Sequence, residues 1–520
     1  MVVIALSRMA SSTLDTYTQR QQQANSIPPN PQHAGRSSTM NLAEYSQLDA
    51  STLAALVQRG EILPAELAEL ALGAIEQLNP VLNAVIECYP ERVKPAAAKP
   101  PSSAALAGVP MLLKDTGAMD RGKGQACGSR IGAGYVASAD SYLTEHYKAA
   151  GLNILGRTTL PEFAQAATTE SALTGATANP WDVTRSTGGS SGGAAAAVAS
   201  GMVPVAHGTD TGGSIRIPAA CCGLVGLKPS RGRISKGPML DETLYGGLNT
   251  EHVITRSVRD SATILDISCT PGTGDPFTIA APGRPYAMEV GAAVSPLRIA
   301  VTCQTHTGVP VDPVMVDAVN EVANVLDALG HCMTEATPAI EGEAYAWADT
   351  IVWAYSTARE IDRLSRATGN PINESFLERP TLEALAIART LQLQDWFEAM
   401  ATYNRMCRTI GGFFQEYDLL LTPTVASLAP TLGTLNSNRD ISYEDFMGAT
   451  ANFCPHTAPF NVTGQPAISL PLAMSDEGLP IGIQLVARYG DEATLIRLAS
   501  QLEELMPWRQ NQPLVHASRL

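Results

Sequence analysis

Two serines set in glycine constrain this chain more than any other feature. Ser190 lies in Ser186-Thr-Gly-Gly-Ser-Ser-Gly-Gly193, and Ser214 follows in Gly208-Thr-Asp-Thr-Gly-Gly-Ser-Ile-Arg-Ile-Pro218. Glycine has no Cβ, so backbone amides can converge on one space and a ligand can approach closely. A nest of such N–H groups can hold the oxyanion of acyl transfer. A hydroxyl is a weak nucleophile until a base takes its proton. Upstream, Lys114 stands near the end of the apolar run Val109-Pro-Met-Leu-Leu-Lys-Asp115. A lysine becomes such a base when burial lowers its pKa.

Each feature also has a plainer reading. Gly-Gly-Ser before Ile215 makes a tight structural turn, and Gly188–Gly193 reads as a flexible Gly/Ser linker. Against the linker, Asn179-Pro-Trp-Asp182 precedes it and an alanine-rich segment follows, which predicts a buried, shaped turn. Gly188-Gly-Ser-Ser-Gly192 also matches the Gly-x-Ser-x-Gly elbow of α/β-hydrolases, which needs a later acid and histidine. Asp440 and His456 could be offered, but neither sits in a distinctive setting. Lys114 has its own plain reading, an ion pair with Asp115.

Composition bounds the rest. With 520 residues, 45% hydrophobic and 16% charged, the chain can bury a large core. A net charge of −15 repels phosphate backbones and anionic lipid, so neither nucleic acid nor a membrane surface is an expected partner. The nine cysteines and eight histidines show no metal-ligand spacing, so neither a metal nor another cofactor is expected. Free thiols and the lack of a signal-peptide core or an apolar run long enough to span a bilayer predict a cytoplasmic protein. Homodimers are the common state of such chains.

Along the chain, residues 1–39 read as a disordered leader, since 7–39 are rich in Ser, Thr, Gln, Asn and Pro. Residues 40–520 read as one domain. Helical spacing appears at 50–57 and 64–72, with Pro64 suited to a first turn. A linker or loop is expected at 95–104. From 105 to about 270, short apolar runs at 152–155, 203–206 and 224–227 alternate with glycine turns and a helix at 192–201. That alternation predicts an α/β fold on a parallel or mixed sheet. Further strands are expected at 297–301, 418–423, 467–472 and 481–486, a final helix at 492–505, and a helical layer inserted at roughly 313–408.

Taken together, these segments resemble the amidase signature family. The resemblance spans about residues 42–509 and centres on Gly188–Gly193, Gly208–Pro218 and Cys222-Gly-Leu-Val-Gly-Leu-Lys-Pro229, with Phe460-Asn-Val-Thr-Gly-Gln-Pro-Ala-Ile-Ser-Leu-Pro471 as a C-terminal match. It implies a central mixed, twisted sheet covered by helices on both faces. It also implies a Ser-cisSer-Lys triad: Ser214 as nucleophile, Ser190 as bridging serine after a cis peptide, and Lys114 as general base and then acid. The oxyanion hole would be the backbone N–H groups of Thr211, Gly212, Gly213 and Ser214, with Asp210 and Arg216 bracing the turn.

Within the family, 201–207, 231–238, 358–361 and 460–472 look most like the 6-aminohexanoate-cyclic-dimer hydrolase and aryl-acylamidase type. That implies a small-molecule substrate: neutral, fairly apolar amides, with esters or carbamates as side substrates. The amidase subunit of a tRNA-dependent amidotransferase, which takes ammonia from glutamine, is the runner-up. A non-catalytic scaffold is the reading of another class. The specificity pocket is expected to draw on Trp347, Trp353, Tyr355, Trp396 and Tyr403, although helix packing is the plainer role for them. Cys127, Cys222 and Cys454 fall near the motifs, and burial is their expected state.

Overall fold

The structure, a computed structural model, describes residues 40–93 and 104–520. The expected leader at 1–39 and nearly all of the expected loop at 95–104 lie outside the described residues.

Three helices come first: α1 (Leu42–Gln47), α2 (Ala50–Gln58) and α3 (Pro64–Leu82). Asn41 and Asp49 cap the first two by accepting the Glu44 and Thr52 amides. Pro64 starts α3, where a missing N–H costs no hydrogen bond. Then come β1 (Val85–Cys88), β2 (Pro110–Lys114), α4 (Tyr142–Ala149), β3 (Asn153–Thr158) and a small hairpin of β4 (Glu170–Ser171) and β5 (Gly175–Ala176). The two serine turns fall within α5 (Gly192–Ala199), β6 (Val205–Asp210), α6 (Arg216–Cys222) and β7 (Val225–Lys228), followed by β8 (Thr250–Thr255) and α7 (Val258–Ser268). The second half comprises β9 (Arg298–Val301), α8 (Pro313–Ala328), β10 (Cys332–Glu335), α9 (Gly342–Thr368), α10 (Arg379–Thr390) and α11 (Leu393–Glu416). It ends with β11 (Leu419–Pro423), α12 (Tyr443–Phe453), α13 (Pro459–Thr463), β12 (Ala467–Met474), β13 (Pro480–Ala487) and α14 (Glu492–Leu505).

Among the described residues, eleven strands form one mixed sheet in the order β1-β3-β2-β6-β8-β7-β12-β13-β11-β9-β10. β3, β2 and β6 run parallel, as do β11, β9 and β10; every other neighbour is antiparallel. The centre is buried on both faces, so β2, β6, β7, β8, β11 and β13 have no exposed residue. Helix α5 is buried all round. Alanine suits it, combining high helix propensity with a side chain small enough for close approach to β6.

The stretch 313–408 is divided rather than one helical layer. Helix α8 packs on β11 and β13, and β10 extends the sheet as its edge beside β9. Helix α9 packs on both α10 and α11. Tyr345, Ala348 and Val352 of α9 meet Ala399 and Tyr403 of α11 over Leu248 and Val462 of the main body.

Candidate active site

Lys114 ends β2 with its side chain fully buried. Its Nζ donates to Ser190 Oγ at 2.7 Å, Ser191 Oγ at 2.9 Å and Thr209 Oγ1 at 2.8 Å. No carboxylate takes part in that set. Burial therefore dominates and pushes the amine down from 10.5 to about 7, against the opposing pull of Asp210 and Glu251. The ion pair with Asp115 does not form: that carboxylate accepts Arg157 and the amides of Ala126 and Gly128. A second lysine, Lys228, is equally buried and also pushed to about 7, by burial and then by Arg216. Its Nζ donates to Pro229 O at 2.9 Å, so geometry rather than basicity separates the two lysines.

Behind Lys114, its backbone N–H points at His207 Nδ1 at 3.4 Å, and His207 Nε2 lies 2.9 Å from Glu251 Oε2. An Nδ1 that accepts an amide leaves the ring proton on Nε2, which donates to Glu251. Both side chains are buried.

The Gly188–Gly193 run is tightly packed, which rules out a loose linker. A Cβ on Gly189 would sit 2.3 Å from Thr168 O, and one on Gly192 2.2 Å from the hydroxyls of Thr169 and Thr187. The Gly189–Ser190 peptide is cis. Ser191 N–H donates to Ser214 O at 3.2 Å, which ties the two serine turns together. The hydrolase-elbow partners are not assembled: Asp440 is at the surface on Arg379, while His456 is buried.

The second turn is held by Asp210 and Arg216. Asp210 Oδ1 accepts Gly213 N–H at 2.8 Å, and Oδ2 accepts Ile215 N–H at 3.2 Å. Thr457 Oγ1 donates to Gly212 O at 2.6 Å. Gly213 has φ +127°, a region that favours glycine. One expectation needs correction here. The Gly213 amide is already bound to Asp210, so it is not a free oxyanion donor; among the described residues, those of Thr211, Gly212 and Ser214 carry no such bond.

Ser214, Gly212 and Gly189 line one cavity of about 860 Å³. Its walls come from 164–167, from Tyr345, Trp347, Asp349 and Trp353 of α9, from Tyr443 and Met447 of α12, and from Cys454 and Ala458. The Trp353 ring lies 3.8 Å from where a Gly212 Cβ would be. Of the five expected aromatics, Trp347 and Trp353 line the cavity. Tyr355 packs against Trp396 in a tilted pair, ring centroids 5.3 Å apart, outside it, and Tyr403 is buried and donates to Asp349 at 3.0 Å. Cys454 lines the cavity, whereas Cys127 and Cys222 are buried without lining it. Sequence reasoning missed Ser191, Thr209, the His207–Glu251 pair and the walls at 164–167 and 443–458. The one available signal was that Ser191 and Thr209 stand inside the serine motifs. Among the described residues, no helix is long and apolar enough to cross a membrane.

A family model described as Amidase matches residues 66–496. The 6-aminohexanoate-cyclic-dimer hydrolase of Paenarthrobacter ureafaciens is 38% identical over 482 residues, spanning 91% of this chain and 97% of that one. A solved 6-aminohexanoate cyclic dimer hydrolase complexed with substrate superposes with a TM-score of 0.84 at 36% identity, covering 91% of this chain and 100% of that one. A bacterial aryl acylamidase of the amidase signature family gives a TM-score of 0.81 at 27% identity, covering 89% and 97%. With the family model matching most of its length and such relatives aligned nearly end to end, the chain belongs to the amidase signature family.

Proposed function

We propose that the chain is a serine amidohydrolase that cleaves neutral, fairly apolar amides through an acyl-enzyme on Ser214. Aryl and alkyl amides, including cyclic and oligomeric ones, are the main substrates, with esters and carbamates as side substrates. The observation that carries this reading is the 2.7 Å bond from the buried Lys114 amine to Ser190 Oγ, beside a cavity lined by Ser214.

In this reading neutral Lys114 takes the Ser190 proton as Ser190 takes that of Ser214. Ser214 Oγ bonds to the carbonyl carbon, and the oxyanion is met by the amides of Thr211, Gly212 and Ser214. The C–N bond breaks as the Lys114 proton returns through Ser190 to the leaving amine. Water then attacks the ester by the same proton path, releasing a carboxylic acid and restoring Ser214. All nine cysteines are free, which suits the cytoplasm.

The test is hydrolysis of a panel of 4-nitroanilides and alkyl amides, with fluorophosphonate labelling of Ser214. Lys114→Ala, Ser190→Ala and Ser214→Ala are each expected to lose about 10³-fold or more in kcat. Full activity in folded Ser214→Ala, or no labelling of the wild type, would overturn the scheme. The second outcome is the one a non-catalytic scaffold gives.

A further inference from the structure

The walls of the Ser214 cavity carry an uneven charge. Three carboxylates line it: Glu343, Asp349 and Glu444. Among the described residues no lysine or arginine lines it, and burial pushes its one histidine, His306, below the ordinary value and so toward the neutral form. Trp347, Trp353, Tyr345 and Tyr443 also line it.

Asp349 is the deepest of the three carboxylates. It is half-buried, whereas Glu343 and Glu444 are exposed at the rim. Its hydrogen-bond partners are neutral: Tyr403 Oη donates at 3.0 Å, and the Trp353 side chain also donates. Burial pushes its carboxyl up to about 6, and those two donors do not offset it. A carboxylate withdrawn from water with no cation beside it is a costly arrangement. Among the described residues no cation is placed beside it, and Asp349 lines the same cavity as Ser214.

Helix geometry gives the reach. Tyr345, Asp349 and Trp353 follow at i, i+4 and i+8, so they share one face of α9. Trp353 lines the cavity with Gly212, its ring 3.8 Å from where a Gly212 Cβ would be, and Asp349 lies one turn further along, about 6 Å by the helix rise.

We propose that this cavity selects amides bearing a protonated amine several bonds from the scissile carbonyl, with Asp349 as the residue that binds the ammonium. The aromatic faces add cation–π attraction around the same point, and Glu343 and Glu444 draw the cation in at the rim. The inference rests on the acyl-enzyme reading of the cavity and goes beyond its neutral substrates: the reacting amide is neutral, while the distal end is cationic.

Three anilides of equal length test it: 6-aminohexanoyl, 6-hydroxyhexanoyl and 5-carboxypentanoyl 4-nitroanilide. The expected order of kcat/KM is amino over hydroxy by about tenfold or more, the scale of one charge-assisted hydrogen bond, with carboxy lowest. In Asp349→Asn the amino-to-hydroxy ratio is expected to collapse toward one. A second measurement needs neither turnover nor a variant. Hexylammonium is expected to protect wild-type Ser214 from fluorophosphonate labelling at concentrations about tenfold lower than 1-hexanol does. Equal turnover of the amino and hydroxy anilides, a preference that survives Asp349→Asn, or equal protection by the two hexyl ligands would overturn the proposal while leaving the amidase reading intact. Absence of both labelling and turnover would remove the reading beneath it.

Discussion

At the residue scale, two lysines are withdrawn from water to the same extent, and only one can act on a serine. Lys114 reaches three hydroxyls, and Lys228 reaches a carbonyl. A base must be neutral to accept a proton, and burial brings Lys114 to about 7. The kcat/KM profile is therefore expected to rise with pH through about 7 and level above it. Glu251, buried behind Lys114 through His207, favours the ammonium form. Removing its charge in Glu251→Gln should move the rising limb to lower pH, measured on one neutral anilide across pH 5–9; a limb that stays in place or moves up would refute this role. The triad of Lys114, Ser190 and Ser214 could be proposed from sequence because its motifs are local. Glu251 could not, since it reaches His207 only when β8 pairs with β6 in antiparallel register, a contact that no local spacing encodes.

At the element scale, legibility followed apolar patterning. The last helix falls at Glu492–Leu505 as expected, and β11 and β13 stand out as apolar runs, whereas the fully buried β8, Thr250-Glu-His-Val-Ile-Thr255, is too polar to give such a signal and was missed. β10 was hidden because Cys332-Met-Thr-Glu335 is a short, mostly exposed edge strand among helices, with no apolar face to give a period. The 313–408 aromatics were legible as a group but not by role, because which face of α9 meets the cavity depends on where α11 packs. The Ser214 turn is an element fixed by contact from outside it. A Cβ on Gly213 would lie 2.4 Å from Thr457 Oγ1 and 2.7 Å from Ile217 Cδ1, at a φ that alanine avoids. Gly213→Ala should therefore displace Gly212 and Ser214 together. A loss in kcat of about 10²-fold or more is expected, the cost of misplacing reacting groups by an ångström. Adding Thr457→Ala should recover only part of it, because the backbone strain remains. Near-wild-type kcat in Gly213→Ala would show that the turn is not held rigidly.

At the scale of the whole molecule, the site depends on chain segments far apart in sequence. Arg216 is wholly buried and directs five donations: Nε and Nη2 to Asp210, Nη1 to Thr457 O at 2.9 Å and Gln484 Oε1 at 2.7 Å, and Nη2 to Asn461 Oδ1 at 2.6 Å. A guanidinium has five N–H donors, so all are matched. The serine motifs mark Asp210 and Arg216, and Asn461 falls in the C-terminal match, but Thr457 and Gln484 arrive from more than 240 positions away and carry no local signal. Burial alone would raise the Asp210 carboxyl. Arg216 and Asn461 outweigh that and hold it well below the usual carboxylate range. Its folded value is thus depressed, so this stabilisation is present above the ordinary carboxylate pKa and is lost as pH falls below it. Arg216→Met leaves the buried Asp210 charge without its hydrogen-bonded cation and should cost about 3–5 kcal/mol at pH 8. Asp210→Asn/Arg216→Met removes both charges and should cost less than Arg216→Met alone, a coupling readable from denaturant unfolding of the four proteins. The Arg216→Met deficit should also shrink as pH is lowered from 8 to 5, because the stranded carboxyl can then take up a proton. Additive penalties that do not change with pH would mean that Arg216 acts through packing alone, and that the two halves of the chain meet at this point without electrostatic dependence on one another.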